Sequence, residues 1–221
     1  MIVDINVQGK NIVVIGGGVE GTRKVKALLG QGCNITVISN RFNKYLSRLE
    51  EEGKIKVIKM RLTNLNLNIL DSLDKPFLVL ACTNDKELNR RIVEKARSIG
   101  ALAYAVDDPS ISDFIHPAVI NIGDVLFIAI STKGSSPAMA RILRIKAERI
   151  LKRMIKDKDI EMIKLADYAR SLALKHIHKQ EIRKSYIYSV IKDKEIEEMI
   201  KSKRIDDAKH RVEDMLKVYI Q

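Results

Sequence analysis

A chain of 221 residues is long enough for one doubly wound domain with an appendage. Its 46% hydrophobic content is that of an ordinary globular protein, no apolar run reaches the roughly 18–20 residues of a membrane span, and no signal peptide opens the sequence, so a cytoplasmic protein is expected. The formal charge of +12 lies mostly in residues 138–221, where 22 Lys and Arg are mixed with 14 Asp and Glu along helical faces, and nucleic acid is not an expected partner.

Ile2–Val7 alternates apolar and polar residues, which predicts a strand pairing with the next one through a turn at Gln8-Gly9. Ile12–Ile15 is a short apolar run of the kind that forms a buried parallel strand. Gly16, Gly18 and Gly21 then fit G-x-G-x-x-G, and Val19, Val25, Ala27, Leu28 and Leu29 continue at helical spacing. Strand, glycine turn and helix are the context in which this fingerprint binds a dinucleotide. Gly16 allows the tight turn, Gly18 lets the backbone approach a pyrophosphate, and Gly21 lets the helix pack close to the strand. The helix N-terminus, with Val19 in its first turn, offers free N–H groups to the phosphates. Asn34–Ile38 is the second core strand and ends Ser39-Asn40-Arg41, where such folds often carry a ribose-binding acid. Ser39 can hydrogen-bond a ribose and Arg41 can pair with a 2′-phosphate, so these residues leave NAD and NADP both open.

Residues 41–53 predict a basic amphipathic helix, Lys54–Lys59 a strand, Thr63–Leu73 an irregular edge segment and Phe77–Ala81 another buried strand. The turn Cys82-Thr83-Asn84-Asp85 opens a helix that runs to Ser98, capped by Asn84 or Asp85. At the carboxyl edge of the sheet, Thr83 and Asn84 are also candidate cofactor contacts. Ala101–Val106 completes five strands alternating with helices. The fold class is therefore α/β, a Rossmann-type doubly wound parallel sheet with right-handed crossovers.

From Asp107 the pattern changes to an acid-rich loop, DDPSISDFIHP, leaving the end of a core strand. Asp107 suits a general base, or a charge that stabilises a developing cation. Asp108 either replaces it or forms a turn with Pro109, while Asp113 reads as a structural or rim carboxylate. Ala118–Asn121 and Val125–Ile130 predict an antiparallel pair joined through Ile122-Gly123-Asp124. Ser131–Pro137 is a polar loop, with Ser136 as N-cap and Pro137 as first residue of a long helix. Beyond about Lys156 the chain reads as helical to its end. Cys33 and Cys82 are isolated, and no cluster with ligand spacing suggests a bound metal.

The stretches VVIGGGVEGTRKVKALL from Val13, ACTND from Ala81, VDDPSISDFIHPA from Val106 and STKGSSPAMARILR from Ser131 run in this order across residues 1–150. Together they resemble the stand-alone precorrin-2 dehydrogenases and the equivalent N-terminal region of siroheme synthases. The glycine fingerprint is common to many dehydrogenases, whereas Asp-x₆-Phe-Ile-x-Pro followed by Ser-Thr-x-Gly-x-Ser-Pro is much more specific. The resemblance implies a step of siroheme biosynthesis, the NAD-dependent oxidation of precorrin-2 to sirohydrochlorin. Asp107, seven residues before Phe114, matches the family's essential aspartate. Some relatives also act as ferrochelatases, inserting Fe²⁺ into sirohydrochlorin, and that activity is left open here. The methyltransferase half of fused siroheme synthases is absent, so uroporphyrinogen methylation is not expected.

The implied substrate carries many carboxylates, for which Ser131, Thr132, Lys133 and Arg141 are candidate partners, with Arg144 as a further one. His116 is either a packed loop residue or a macrocycle contact that receives a pyrrole proton or guides Fe²⁺. The resemblance also implies a homodimer exchanging residues of about 117–150. The expected division is 1–115 as NAD-binding domain, 116–150 as a small α+β dimerisation and substrate region, and 151–221 as a helical C-terminal region. A regulatory domain that binds NAD without chemistry is the rival reading, and it leaves Asp107–Pro117 unexplained.

Overall fold

The computed structural model describes residues 2–220. The chain divides into two compact units at the bond between His116 and Pro117. The first contains β1 (Asn11–Ile15), α1 (Val19–Leu28), β2 (Asn34–Ser39), α2 (Lys44–Glu51), β3 (Lys56–Lys59), β4 (Leu78–Ala81), α3 (Lys86–Ser98) and β5 (Leu102–Ala105). All five strands are parallel, in the order β3-β2-β1-β4-β5. The core strands are apolar on both faces because helices cover both. Val13 and Ile15 of β1 pack with Ile92, Val93 and Ala96 of α3, whereas Ile12 and Val14 pack with Val25 of α1 and Leu46 of α2.

This order overturns one expectation. Both edges of β1 are occupied, by β2 and β4, so residues 2–7 have no edge to join and form no strand. Val7 instead buries against one face of the sheet. The turn at Gln8-Gly9 does form, with Gly9 at φ +69° and its N–H donating to the Gly32 carbonyl at 2.8 Å. The segment expected to be irregular holds a short 3-10 turn, Leu67–Ser72, that buries Leu70 completely. The helix expected over 41–53 is shorter, because Asn43 caps it by accepting the Leu46 N–H at 2.9 Å.

The outer edge of β5 is closed by the loop that follows it. Asp113 accepts the Ala103 N–H at 2.7 Å and returns its own N–H to the Ala103 carbonyl at 2.9 Å. Ser112 Oγ accepts the Ala105 N–H at 2.9 Å, and Arg97 grips the Asp113 carboxylate at 2.7 Å. These bonds occupy backbone groups that an open edge would leave unpaired, and they pin the loop that begins at Asp107.

The second unit opens with the antiparallel pair β6 (Ala118–Ile122) and β7 (Leu126–Ile130). Gly123 and Asp124 make the turn with φ +63° and +57°. The helices α4 (Pro137–Met154), α5 (Asp157–His176), α6 (Gln180–Lys192), α7 (Lys194–Lys201) and α8 (Ile205–Ile220) follow. Ser136 caps α4 by accepting the Met139 N–H at 3.3 Å, and Pro137 is its first residue. Leu165, Ala169, Tyr186, Val190, Ile196 and Val212 form the core shared by α5 to α8. Among the described residues no helix is long and apolar enough to cross a membrane.

Candidate active site

The site begins where β1 runs into α1. Gly16 has φ +109°, and a Cβ there would strike the Cys82 carbonyl at the end of β4. At Gly21 a Cβ would collide with the Gly16 carbonyl, so α1 sits directly on the turn. Gly17 is none of the three fixed glycines of the fingerprint, yet a Cβ there would meet the Arg41 carbonyl. The triple glycine was the only sequence signal for it. Gly18 differs: it is the N-cap of α1, no side chain caps the helix, and a Cβ added to it would meet nothing within 4 Å. Free first-turn N–H groups beneath open space fit a bound pyrophosphate. Val19, in that first turn, is 83% exposed. Ser39 ends β2, and its Oγ accepts the Arg41 N–H at 3.4 Å.

Beside this turn lies a cleft of about 430 Å³ lined by Glu20, Arg23, Thr83, Asn84, Lys86, Val106 and Asp107. Its walls come from the first turns of α1, the carboxyl end of β4, the start of α3 and the carboxyl end of β5. β1 and β4 are neighbours where the strand order reverses, which is where open α/β sheets bind ligands. A smaller depression, of about 280 Å³ among Asp4, Ile5, Asn6, Val7 and Gln31, includes none of the predicted site residues.

The two adjacent acids of the loop separate here. Asp108 accepts the Ser110 N–H at 2.8 Å and the Ser110 hydroxyl at 2.6 Å, bonds that hold its pKa below the ordinary carboxylate value. It caps the 3-10 turn Pro109–Ile111. Asp107 instead lines the cleft, with Oδ1 accepting from Asn89 Nδ2 at 2.7 Å. Asn89 also donates to the Thr83 carbonyl at 3.1 Å and accepts from the Thr83 N–H at 3.1 Å and hydroxyl at 2.7 Å. Thr83 and Asp107, both predicted, are thus joined by a residue that sequence reasoning passed over as an ordinary polar position of α3. Asp85 caps α3 through the Leu88 N–H at 3.0 Å, which leaves Asn84 exposed on the cleft wall.

His116 packs edge-on against Tyr104 and Phe114, with ring centroids 4.7 and 5.2 Å apart. Tyr104 and Phe114 shield the ring on their sides although the residue as a whole is exposed. That shielding, and then the charges of Lys24 and Arg23, lower its pKa and favour neutral imidazole. Lys24, also passed over in the sequence, is buried with its ammonium 4.1 Å from the Tyr104 ring centroid. Burial lowers its pKa to about 8, and burial raises that of the Cys82 thiol to about 12.

The remaining predicted residues lie in the second unit, around the start of α4. Ser131 Oγ accepts the Lys133 N–H and Thr132 Oγ1 accepts the Ser136 N–H, each at 3.1 Å, so both hydroxyls shape the loop itself. Lys133 is exposed at φ +53°. Arg141 is exposed on α4 and makes no ion pair among the described residues, whereas Arg144 pairs with Glu148 at 2.5 Å. Among the described residues no three His, Cys, Asp or Glu side chains gather into a metal-binding group.

Comparison with known proteins places this geometry in a family. The profile of a family described as "Putative NAD(P)-binding" matches residues 3–118. The precorrin-2 dehydrogenase of Methanosarcina barkeri (strain Fusaro) is 32% identical over 194 residues, covering 87% of this chain and 83% of that protein. The siroheme synthase of Neisseria meningitidis serogroup C (strain 053442) is 34% identical over 152 residues, covering 69% of this chain but 30% of that protein. The chain thus spans about 30% of the siroheme synthases it matches. The solved structure of SirC, precorrin-2 dehydrogenase, has the same fold, with a TM-score of 0.66 over 97% of this chain and 99% of that one at 20% identity. By its match over most of the M. barkeri enzyme, the chain belongs to the precorrin-2 dehydrogenase family.

Proposed function

We propose that the protein oxidises precorrin-2 to sirohydrochlorin with NAD, a step of siroheme biosynthesis. One observation carries the reading beyond family membership: the Asp107 carboxylate and the first turns of α1 line the same cleft. Gly18 and Val19 hold the pyrophosphate on the turn that Gly16 and Gly21 make possible, Ser39 meets the ribose, and Thr83 and Asn84 wall the cleft beside them. Bound NAD⁺ supplies the hydride acceptor. The macrocycle loses one hydride and one proton and gains one double bond, giving sirohydrochlorin, NADH and H⁺. Asp107 takes that proton at Oδ2, since Oδ1 is engaged by Asn89.

In the second unit, Lys133 and Arg141, with the hydroxyls of Ser131 and Thr132, have the chemistry to take substrate carboxylates: a point charge, a bidentate fork and neutral donors. His116, neutral and partly exposed, serves as a macrocycle contact. The chain acts as a homodimer, and the exposure of Val119 at 43% and Phe127 at 60% on the β6–β7 pair supports this.

Absorbance-followed oxidation of precorrin-2 with NAD tests the reading. Asp107→Ala is expected to lower kcat by about a hundredfold or more while the NAD titration stays unchanged. Native turnover by this variant would remove Asp107 from the mechanism. A native protein that binds NAD and never oxidises precorrin-2 would support the regulatory alternative.

A further inference from the structure

Thr22, Lys24 and Asn89 are the buried polar residues among those described, and Asn89 has no exposed surface. Two of the three have local explanations. Thr22 receives the Asn43 side-chain amide at 2.8 Å, tying α1 to the start of α2, and Lys24 lies over Tyr104. Asn89 calls for more, because a buried amide is costly unless its bonds are made. All four are made: two donated by Nδ2, two accepted by Oδ1. Three of them go to Thr83, a complete clamp on the turn after β4. The fourth crosses to the end of β5 and takes Oδ1 of Asp107. The amide cannot be reversed. The Thr83 N–H can only donate, which fixes Oδ1 on its side, and that leaves Nδ2 facing a carboxylate that can only accept.

We propose that Asn89 is a positioning residue for the reaction: it holds Asp107 by Oδ1, leaves Oδ2 for the proton transfer, and sets the cleft walls after β4 and β5 with one amide. The inference rests on the reading of Asp107 as the base. Asp107 Oδ2 has no hydrogen-bond partner among the described residues, while the side chain lines the cleft. A base held at one oxygen keeps the other in reach of a fixed point, which is how a supporting amide raises the fraction of productive orientations.

The groups facing Asp107 are Glu20 and Arg23 from α1, Lys86 from α3, and Cys82 and Tyr104 from the ends of β4 and β5. All stay in place when Asn89 alone is changed, so a difference between native and Asn89→Ala profiles reports the amide, while Asn89→Asp adds a charge to its loss. Asn89→Asp keeps the size of the side chain and the acceptor for Thr83, but sets a second carboxylate against Asp107. In steady-state oxidation of precorrin-2 across pH, kcat is expected to fall about tenfold while KM for NAD stays within about twofold. The acid limb of kcat/KM is expected to rise by about one pH unit or more, because neighbouring carboxylates resist double ionisation. Asn89→Ala, which removes the donor without adding charge, should move the limb in the same direction by less. A merely structural role would lower the melting temperature and leave the kcat and the limb of folded Asn89→Ala, which carries no new charge, where they were.

Asp107→Asn, measured alongside, separates the two claims. If it turns over natively, the reading of Asp107 fails. If it is inactive while folded Asn89→Asp keeps the native kcat and acid limb, the role of Asn89 alone fails. Should neither Asn89 variant fold, the side-chain amide resonances of Asn89 in the native enzyme decide. They are expected to shift along the acid limb and to lose that titration in Asp107→Asn, and resonances indifferent to pH would overturn the proposal.

Discussion

Gly18 and Gly21 make opposite demands within one fingerprint. At Gly18 the backbone sits at φ −75° and an added Cβ meets nothing, so Gly18→Ala is expected to fold with an unchanged melting temperature. That methyl would occupy the space read as pyrophosphate, and an NAD titration should weaken by about tenfold. Undiminished affinity would move the phosphates away from this turn. Gly21→Ala drives a methyl into the Gly16 carbonyl and is expected to cost about 1–3 kcal/mol in a denaturant titration, with cofactor loss following from the fold. The glycine spacing announced both positions and their different tasks, and what stands above each one sets the cost of a methyl there. Asp107 and Asp108 are harder to tell apart. They are adjacent acids in the sequence, and only the bonds of Asp108 to Ser110 separate a turn-former from a cleft carboxylate.

Among the helices of the second unit, Asp193 links α7 to α8. It caps α7 by accepting the Ile196 N–H at 2.9 Å and takes the Arg211 guanidinium at 3.0 and 2.8 Å. Asp193→Ala is expected to cost about 1–2 kcal/mol in a denaturant titration, most of it from the lost cap, because Arg211 is partly exposed to screening solvent. Arg211, ahead of the backbone N–H groups that Asp193 caps, holds the Asp193 carboxyl below its ordinary value. Its contribution is therefore complete above the unfolded carboxylate value of about 3.9 and is lost as pH falls through the lower folded value. Native and variant stabilities should differ at pH 7 and converge in strong acid, and a difference independent of pH would mean that the carboxylate charge contributes nothing. The start of α4 was legible without any of this, since Ser136-Pro137 states a cap and a first turn within two residues.

For the molecule as a whole, the expected assembly has a direct test. Phe127→Glu places a charge on the exposed face of β7 and is expected to shift sedimentation velocity from dimer to monomer, with the first unit's NAD binding retained. A variant that sediments as the native protein does would take this face out of the interface. The excess positive charge in residues 138–221 is laced through the helices with acids, as in the pairs of Lys158 and Lys201 with Glu197.

The amino-acid sequence by itself determined the alternation of strands and helices, the glycine turn, the cap of α4 and the loop that carries Asp107, because each is written in neighbours a few residues apart. The alternation of residues 2–7 also reads locally as a strand, and only the sheet order denied it, since β2 and β4 leave β1 no free edge. Asn89 and Lys24 are polar residues of helical stretches and carry no local mark of burial. What surrounds them comes from β4, β5 and the loop beyond, and burial at those distances is decided by how the chain packs.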